Sequence, residues 1–351
     1  MTGVALWPSR VRQIVGPGGI RMLVDLRALT VVVVGVVILL AVSAVALTLG
    51  ESEIPPAEVL PALFGRGDPG TVRIVSQWRL PRIALAVLGG AALALSGAIF
   101  QSMTRNPLGS PDIIGFSTGA YTGSLVVSLV LGASGAVVSL GAFVGGLATA
   151  AVVYLLAYTR GIQGFRLIVV GIAVSATLSA VNAYLLASAR AEEAISAAIW
   201  GAGSLNGARW PEVLPVLLSL VVFVPACIVL ARRLSMLELG DDQARVLGIR
   251  VDRTRVLLLI VGVGLVSIIT AVSGPITFVA LAAPQIARRM TGAAGPGLLP
   301  SAVVGALLLL VSDLLAQRVI APGQYPVGVV TACLGGAYLV WLMTRRGGSR
   351  S

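Results

Sequence analysis

The sequence predicts an all-α, polytopic membrane protein with about ten transmembrane helices. Of the 351 residues, 57% are apolar and only 11% are charged, and the mean hydropathy is +0.98. Soluble domains carry about 25% charged residues, so this composition excludes an ordinary water-soluble protein. The apolar residues also form runs of about 18 or more, long enough to cross about 30 Å of hydrocarbon as a helix.

Arginine, proline and glycine residues divide the apolar runs into ten predicted spans. These are 28–49, 82–101, 113–131, 136–157, 166–188, 212–231, 255–272, 275–290, 298–315 and 326–344. The first run exceeds the apolar region of a secretory signal, so we interpret it as a span. The predicted membrane domain is therefore 28–346, between an N-terminal tail at 1–27 and a C-terminal tail at 347–351.

The arginine distribution predicts the orientation of the chain in the bilayer. Short loops rich in arginine stay in the cytoplasm, and ten spans place the N-terminal tail, Arg105, the 232–255 loop, Arg288-Arg289 and Arg345-Arg346 on that side. Both termini are then cytoplasmic. The net charge of +11 thus reports topology and contact with anionic lipid, and it does not imply nucleic acid.

Two missing residue types exclude whole classes of chemistry. All 25 basic residues are arginines, so the phosphate-binding lysine of a P-loop ATPase cannot be supplied. The sequence also has no histidine, which excludes histidine-containing zinc sites and nucleophile–histidine pairs. The two cysteines, Cys227 and Cys333, lie inside apolar runs and are expected to be packing residues.

The 239–248 segment predicts a short helix on the cytoplasmic face. Its aspartates can cap a helix and Gly248 can end it, which leaves about two turns between them. Ala244, Val246 and Leu247 are the apolar members of these turns. Such a helix needs a docking partner to bury its apolar side. The alternative is a plain helix in a surface loop.

Arginines cluster at the outer side of the predicted bundle. Arg79 and Arg82 precede the second span, and Gln317 and Arg318 follow the ninth. Arginines at a helix mouth often extend to lipid headgroups. The alternative is a docking site for acidic side chains of another protein, which would steer its approach and fix its orientation.

A chain break separates the second and third spans. Pro107 and Pro111 cannot share one regular helix. Beyond them, Gly115, Gly119 and Gly123 recur at four-residue spacing. Small residues at this spacing let a second helix approach closely, so this face is expected to pack inside the bundle.

A second break, at 273–278, precedes a short span that is expected to end at Pro284. Helix breaks at membrane depth occur where they line a cavity or are covered by protein, and this favours a transporter. The spans carry very few charged residues. Coupling to protons or sodium usually needs buried ionisable groups, so a secondary transporter is disfavoured.

Residues 28–346 resemble the permease family of ABC importers for iron-siderophores and vitamin B12. The matching motifs, in chain order, are 79–82, 90–101, 106–108, 115–120, Trp200, 203–205, Trp210, 239–248, 274–276 and 326–330. Within the family, the second-subunit branch for ferric enterobactin is the most similar. The segments that carry this likeness are 105–112, 115–116, 165–168, 202–207 and 240–242.

The resemblance implies a type II ABC importer permease fold and assigns roles to residues. Arg79, Arg82 and Arg318 would receive acidic side chains of a binding protein. However, Gln317 stands where many relatives have an arginine, so it is open whether Gln317 or Arg318 takes the third docking position. A coupling helix near 240–248 would sit on the ATPase subunit. Its implied coupling residues are Gly240, Asp241, Asp242, Ala244, Leu247 and Gly248.

The resemblance also implies a function. The chain would be a non-catalytic permease subunit in the bacterial cytoplasmic membrane that passes a ferric siderophore, of the catecholate or enterobactin type, inward. Its expected partners are a cytoplasmic ATPase dimer that holds ATP and magnesium, a second permease subunit, and an extracytoplasmic siderophore-binding lipoprotein or periplasmic protein. A heterodimer is favoured and a homodimer stays open. The chain itself needs no metal site, because the siderophore already encloses the iron.

The translocation path is expected to carry small, mildly polar side chains. The candidates are Ser96, Gln101, Ser117, Thr118 and Asn182. A permease for vitamin B12 or haem is the alternative within the class. A membrane-embedded enzyme should show paired carboxylates or a nucleophile with its base at membrane depth, and the sequence has neither. A structural scaffold would not need the broken spans.

Overall fold

A computed structural model describes residues 11–15, 21–50, 52–158, 164–293, 295–318 and 325–347. Residues 1–10, 16–20 and 348–351 of the predicted tails lie outside the described residues. The description begins with an antiparallel pair of strands, β1 (Val11–Val15) and β2 (Arg21–Asp25), which the sequence did not predict. The Asp25 carboxylate then accepts hydrogen bonds from two backbone N–H groups of the first helix. A side-chain acceptor at this position stabilises the start of a helix.

The rest of the described chain is helical. The α-helices are α1 (Leu26–Thr48), α2 (Pro56–Leu63), α3 (Pro69–Arg73), α4 (Leu80–Thr104), α5 (Phe116–Leu125), α6 (Ala136–Ala157), α7 (Gly164–Ser188), α8 (Ala191–Gly201), α9 (Trp210–Glu238), α10 (Asp241–Val246), α11 (Val251–Ser273), α12 (Val279–Thr291), α13 (Leu298–Arg318) and α14 (Val327–Gly347). A π-helical turn, Ile74–Arg79, joins α3 to α4, and a second, Val126–Val130, extends α5.

Every predicted span coincides with a helix, and nine of the ten coincide with an apolar one. Seven helical stretches in the described chain are long and apolar enough to cross a membrane: α1, α3 to α4 taken together, α6, α7, α9, α11 and α13. The extended α5 and most of α14 form shorter apolar helices, and the 13-residue α12 lies within the remaining predicted span, 275–290. The sequence did not predict α2, α3 or α8, which are short helices in the connections.

The expectation that a short span ends at Pro284-Gln285 is wrong, because α12 continues through Pro284 to Thr291, close to the end of the span predicted at 275–290. A proline inside a helix removes the bond to the carbonyl four residues earlier, which here belongs to Ala280. That carbonyl lies so close to Gly97 of α4 that a β-carbon at position 97 would collide with it. Packing against α4 therefore holds the helix together where its own hydrogen bond is missing.

The two cysteines differ in environment. Cys227 is buried in α9, as predicted, whereas Cys333 is exposed on α14. The packing prediction is therefore wrong for Cys333 within this chain. The reason is that α14 lies at the edge of the described bundle, so an apolar run is no measure of burial by neighbouring helices.

The centre of the bundle is α4, which packs against α9, α11, α12 and α13. Its closest neighbour is α13, where a β-carbon at Gly90 would collide with the backbone carbonyl of Gly305. Small residues allow this approach, which maximises van der Waals contact in a medium that offers no hydrophobic driving force between helices. In contrast, α1 buries only Gly35, Ala46 and Leu47.

The small-residue face of α5 packs against α6, as predicted. A β-carbon at Gly119 would collide with the Thr149 side chain, and one at Gly123 would collide with the Gly141 carbonyl. Because α4 runs through the bundle for 25 residues, its two ends are about 37 Å apart. We call them the Arg79 end, which holds Arg79 and Arg82, and the Asp241 end, which holds α10.

Candidate functional site

At the Arg79 end, Arg82 is bound by a buried carboxylate of its own chain. Its Nε and Nη2 atoms each donate a 2.8 Å hydrogen bond to Asp313, and Nη2 also donates to Asn206 Oδ1 at 2.7 Å. Gln317 Nε2 donates to the same carboxylate at 2.8 Å. The side chain of Asp313 is only 3% exposed. A bidentate pair of this kind is strong and directional, and the sequence analysis had not identified it.

Arg79 and Arg318 bind backbone carbonyls rather than carboxylates. The Arg79 guanidinium donates to the carbonyl of Leu47 at 2.6 Å and to that of Ser52. Arg318 donates to the carbonyl of Gly50 at 2.9 Å. These bonds fix the end of α1 against α4 and α13, and neither guanidinium has a carboxylate partner among the described residues.

A cavity of about 300 Å³ opens at the Arg79 end. Arg79, Arg82 and Arg209 line it, and Asp313 is the one acidic residue among its described lining residues. Gln317 also lines this cavity, whereas Arg318 does not. The predicted docking residues Arg79 and Arg82 therefore share one cavity, while Arg318 lies outside its lining.

At the Asp241 end, α10 is tied to two spanning helices. Asp241 Oδ1 accepts a 2.8 Å bond from Arg255, at the start of α11, and a 3.4 Å contact from Arg105, just after α4. Arg255 is almost completely buried, with 2% of its side chain exposed. A buried cation without a counter-ion is strongly unfavourable, so this carboxylate stabilises Arg255 in place.

The predicted capping of α10 by an aspartate is wrong. The residue before the helix is Gly240, at φ 115°, and no side chain caps the first turn. Glycine occupies this backbone conformation without the steric cost of a β-carbon. Asp241 follows it inside the helix, where its carboxylate faces Arg255 instead of the helix N–H groups. Gly248, at φ 81°, ends the turn as predicted.

The faces of α10 differ sharply in exposure. Ala244 is completely buried, whereas Val246 is 88% exposed and Leu247 is 53% exposed. Asp242 is also exposed and pairs with Arg245 at 2.9 Å. The helix thus anchors itself through Asp241 and Ala244 and leaves an uncovered face, which we call the α10 outer face: Asp242, Val246 and Leu247.

A second polar network at the Asp241 end was missed by the sequence analysis. Arg288 of α12 donates to Glu238 of α9 at 2.9 Å and to Ser102 of α4 at 2.6 Å. Gln285, one turn earlier, donates to the carbonyl of Pro107 at 2.8 Å. The partners are up to 186 residues apart in the chain, so no local pattern could reveal the network.

Two of the predicted path residues, Ser96 and Gln101, lie inside helix contacts. Ser96 Oγ donates to the carbonyl of Gly262 in α11 at 2.7 Å. Gln101 Nε2 donates to the carbonyl of Leu281 in α12 at 2.8 Å. Both side chains are buried and hold α4 against its neighbours.

The other three path residues lie around α5 and α7. Ser117 donates to Asp112 Oδ1 at 2.7 Å, and the hydroxyls of Thr118 and Ser175 are 3.1 Å apart. Asn182 is buried in α7, and its Oδ1 has no hydrogen-bond partner among the described residues. None of the five lines the cavity at the Arg79 end, and their role in a path stays a prediction.

Comparison with known proteins places this geometry in context. The FecCD transport family model matches residues 36–345. The chain is 48% identical over 294 residues to the ferric enterobactin transport system permease protein FepG of Escherichia coli (strain K12), covering 84% of this chain and 89% of that protein. It is 39% identical over 274 residues to the Fe(3+) dicitrate transport system permease protein FecD of the same organism, covering 78% and 85%.

A solved structure has the same fold. It is an inward-facing conformation of a metal-chelate type ABC transporter. The TM-score is 0.79 and the identity is 27%, with 90% of this chain and 99% of that chain covered. The likeness therefore extends over most of this chain.

Proposed function

The chain belongs to the FecCD transport family, and on that premise we propose that it is the permease subunit of an ABC importer for ferric siderophores of the catecholate class. In this proposal it is a multi-pass protein of the bacterial cytoplasmic membrane. The observation that carries the substrate class is the 48% identity, over most of both chains, to a ferric enterobactin permease. The identity to a hemin transport system permease protein of Yersinia pestis is lower, at 38% over 285 residues, so haem is not favoured, and neither is vitamin B12.

Energy for transport comes, in this proposal, from a separate ATPase dimer that holds ATP and magnesium. The sequence contains no lysine and so cannot form a P-loop of its own. The α10 outer face is the proposed seat of the ATPase, because Val246 and Leu247 are apolar and uncovered in this chain. An exposed apolar surface next to a charged rim is typical of a protein interface.

The coupling step is proposed to run through Asp241. When the ATPase dimer closes, it moves α10, and the carboxylate transmits this movement to α11 through Arg255 and to the end of α4 through Arg105. Both contacts are ion pairs, which couple rigid helices directionally. Asp241 is therefore a positioning residue rather than a contact to the ATPase.

Two further partners complete the proposed importer. A second permease subunit, most simply a related chain in a heterodimer, supplies the other half of the path, and a homodimer is the alternative. An extracytoplasmic siderophore-binding lipoprotein or periplasmic protein docks at the Arg79 end and delivers the ferric siderophore. Both termini are cytoplasmic in this arrangement.

The substrate proposal is tested by iron uptake in a deletion strain, with and without the restored gene. Radiolabelled iron is supplied as catecholate, hydroxamate or mixed siderophores. We expect loss of uptake confined to the catecholate chelate and rescue by the intact gene. If every chelate enters normally while cobalamin or haem uptake falls, the siderophore assignment is wrong and the importer fold alone remains.

The ATPase seat is tested with Val246→Glu and Leu247→Glu together, because a charge on each side chain opposes burial against a partner. We expect the ATPase subunits to be lost from the purified complex and uptake to stop. Arg253→Gln changes an exposed residue at the same end and is the matched control. This variant should keep both the bound ATPase subunits and the uptake activity. Retention of the ATPase by the double variant would contradict this seat.

A further inference from the structure

A third arginine, Arg209, lines the cavity at the Arg79 end. It is exposed, it directly precedes α9, and the described residues provide no ion pair for its guanidinium. The one carboxylate in the described lining, Asp313, is already engaged by Arg82. Among the described lining residues, no further carboxylate is present to pair with Arg79 or Arg209.

The backbone that carries Arg209 is fixed to α4 and the turn before it. Asn206 accepts a 2.7 Å bond from Arg82, and Trp210 Nε1 donates a 3.0 Å bond to the carbonyl of Ser76. The backbone N–H of Arg209 itself donates to Glu212 at 3.0 Å. This segment is pre-organised, so a ligand that binds Arg209 would not have to order the backbone first.

The residues that follow span nine are less suited to the third docking position. Arg318 donates to the Gly50 carbonyl and does not line the cavity. Gln317 does line it, but it is neutral and is hydrogen-bonded to Asp313. The remaining candidate in the cavity lining is Arg209, which comes from the segment just before α9.

We propose that Arg209 is a docking residue that receives an acidic side chain of the extracytoplasmic binding protein, together with Arg79. This inference rests on the proposed function. Buried or partly buried residues of the bundle interior, such as Ala208, Ile83 and Leu310, form the apolar part of the cavity. The lining as a whole comes from the last turns of α1 and α13, the start of α4 and the segment just before α9. The cavity therefore lies at the ends of these helices, where a carboxylate of an extracytoplasmic protein can reach the two arginines.

A neighbouring cavity of opposite charge would set the orientation of the partner. It has a volume of about 810 Å³, and its lining includes Glu192, Glu193 and Glu212. An acidic group of the partner is attracted to the arginine cavity and repelled by this one. Such a charge pattern fixes the register of docking and raises the rate of encounter.

The test uses the complete importer in lipid nanodiscs, with the affinity of the binding protein as the readout. In a Cys333→Ser background, which removes the exposed native cysteine, we expect Arg209→Cys to weaken binding about fivefold, the effect of losing one exposed ion pair. Treatment with methanethiosulfonate-ethylammonium, which restores a positive charge, should recover the affinity. The ethylsulfonate reagent, which adds a negative charge, should weaken it further. The inference would be overturned if the affinity did not rise with the positive reagent and fall with the negative one.

Control variants separate the possible failures. Arg190→Cys, an exposed arginine outside the cavity lining, should respond to neither reagent. If Arg79→Gln weakens binding while Arg209→Cys does not, the docking surface stands and the role of Arg209 is wrong. If neither variant weakens binding, the docking surface itself is wrong. If the Arg209 effect requires anionic lipid in place of phosphatidylcholine, Arg209 binds a headgroup and the inference is overturned.

Discussion

At the residue scale, the Arg82–Asp313 pair shows how one side chain can carry a structural role beside a docking role. The sequence analysis assigned Arg82 to the binding of a partner protein. In the structure, its guanidinium group pairs with the carboxylate of Asp313 on α13. Only 14% of the Arg82 side chain is exposed. Its removal would therefore damage the bundle as well as any docking surface, which makes Arg79 the better probe of docking.

We predict that Asp313→Asn lowers the free energy of unfolding by about 3 kcal/mol, because one partner of a buried ion pair would be left uncompensated. The measurement is denaturant unfolding of the purified protein in mixed micelles. Glu58→Gln removes an exposed carboxylate from α2 and should change stability by less than about 0.5 kcal/mol. Equal effects of the two changes would contradict a structural role for the pair.

At the element scale, α10 is too short to be a stable helix alone. Its position depends on the buried side chain of Ala244 and on the ion pairs of Asp241 with Arg255 and Arg105. Two spanning helices thus hold a six-residue helix whose outer face remains uncovered.

We predict that Asp241→Asn speeds amide hydrogen exchange across 241–248 at least tenfold, since the loss of a buried ionic contact weakens local structure by more than about 1.4 kcal/mol. Hydrogen–deuterium exchange mass spectrometry of the purified protein measures this. Asp242→Asn, on the exposed side of the same helix, should leave the exchange rate nearly unchanged. A similar rate in both variants would show that Asp241 does not anchor the helix.

The contact between α4 and α13 depends on two glycines, Gly90 and Gly305. We predict that Gly305→Ala destabilises the protein by about 2 kcal/mol, because the added methyl group overpacks a contact with the Gly90 carbonyl and Ala94. The thermal unfolding midpoint in detergent should fall. The matched control is Gly336→Ala in α14, where a β-carbon meets nothing within 4 Å. There we expect no loss and a gain of up to about 1 kcal/mol.

At the scale of the whole molecule, the bundle joins two charged ends with different tasks. The Arg79 end presents cations in a small cavity, and the Asp241 end presents α10. Because α4 runs between these ends and packs against α9, α11, α12 and α13, it is the element through which the proposed coupling between the two ends would act.

The orientation of the bundle can be measured with an impermeant maleimide in a Cys333→Ser background. We predict that Arg66→Cys, in an exposed loop at the Arg79 end, is labelled in intact cells. Arg245→Cys, on α10, should be labelled only after the membrane is permeabilised, because the arginine-rich side of the bundle stays in the cytoplasm. The opposite labelling pattern would invert the topology and remove the basis for the proposed ATPase seat.

The sequence by itself determined the fold class, nine apolar helices, the chain breaks before α5 and α12, and the small-residue face of α5. A helix in a bilayer must satisfy its backbone hydrogen bonds within its own segment, so local composition is sufficient to specify it. The resemblance of ordered motifs then gave the family. The short connecting helices α2 and α8 escaped prediction because, with 8 and 11 residues, they are too short to give a span-like pattern.

Only the tertiary structure decided which polar side chains meet. Arg82 and Asp313 are 231 residues apart, and Arg209 reaches the same cavity as Arg79 from another helix. It also decided that Asp241 binds Arg255 instead of capping α10, and that α12 continues past Pro284. The physical reason is the same in each case. A charged group or a carbonyl without its helical hydrogen bond is stabilised by the group that the folded bundle places beside it. Because those groups are far apart in the chain, no local sequence pattern predicts the contact.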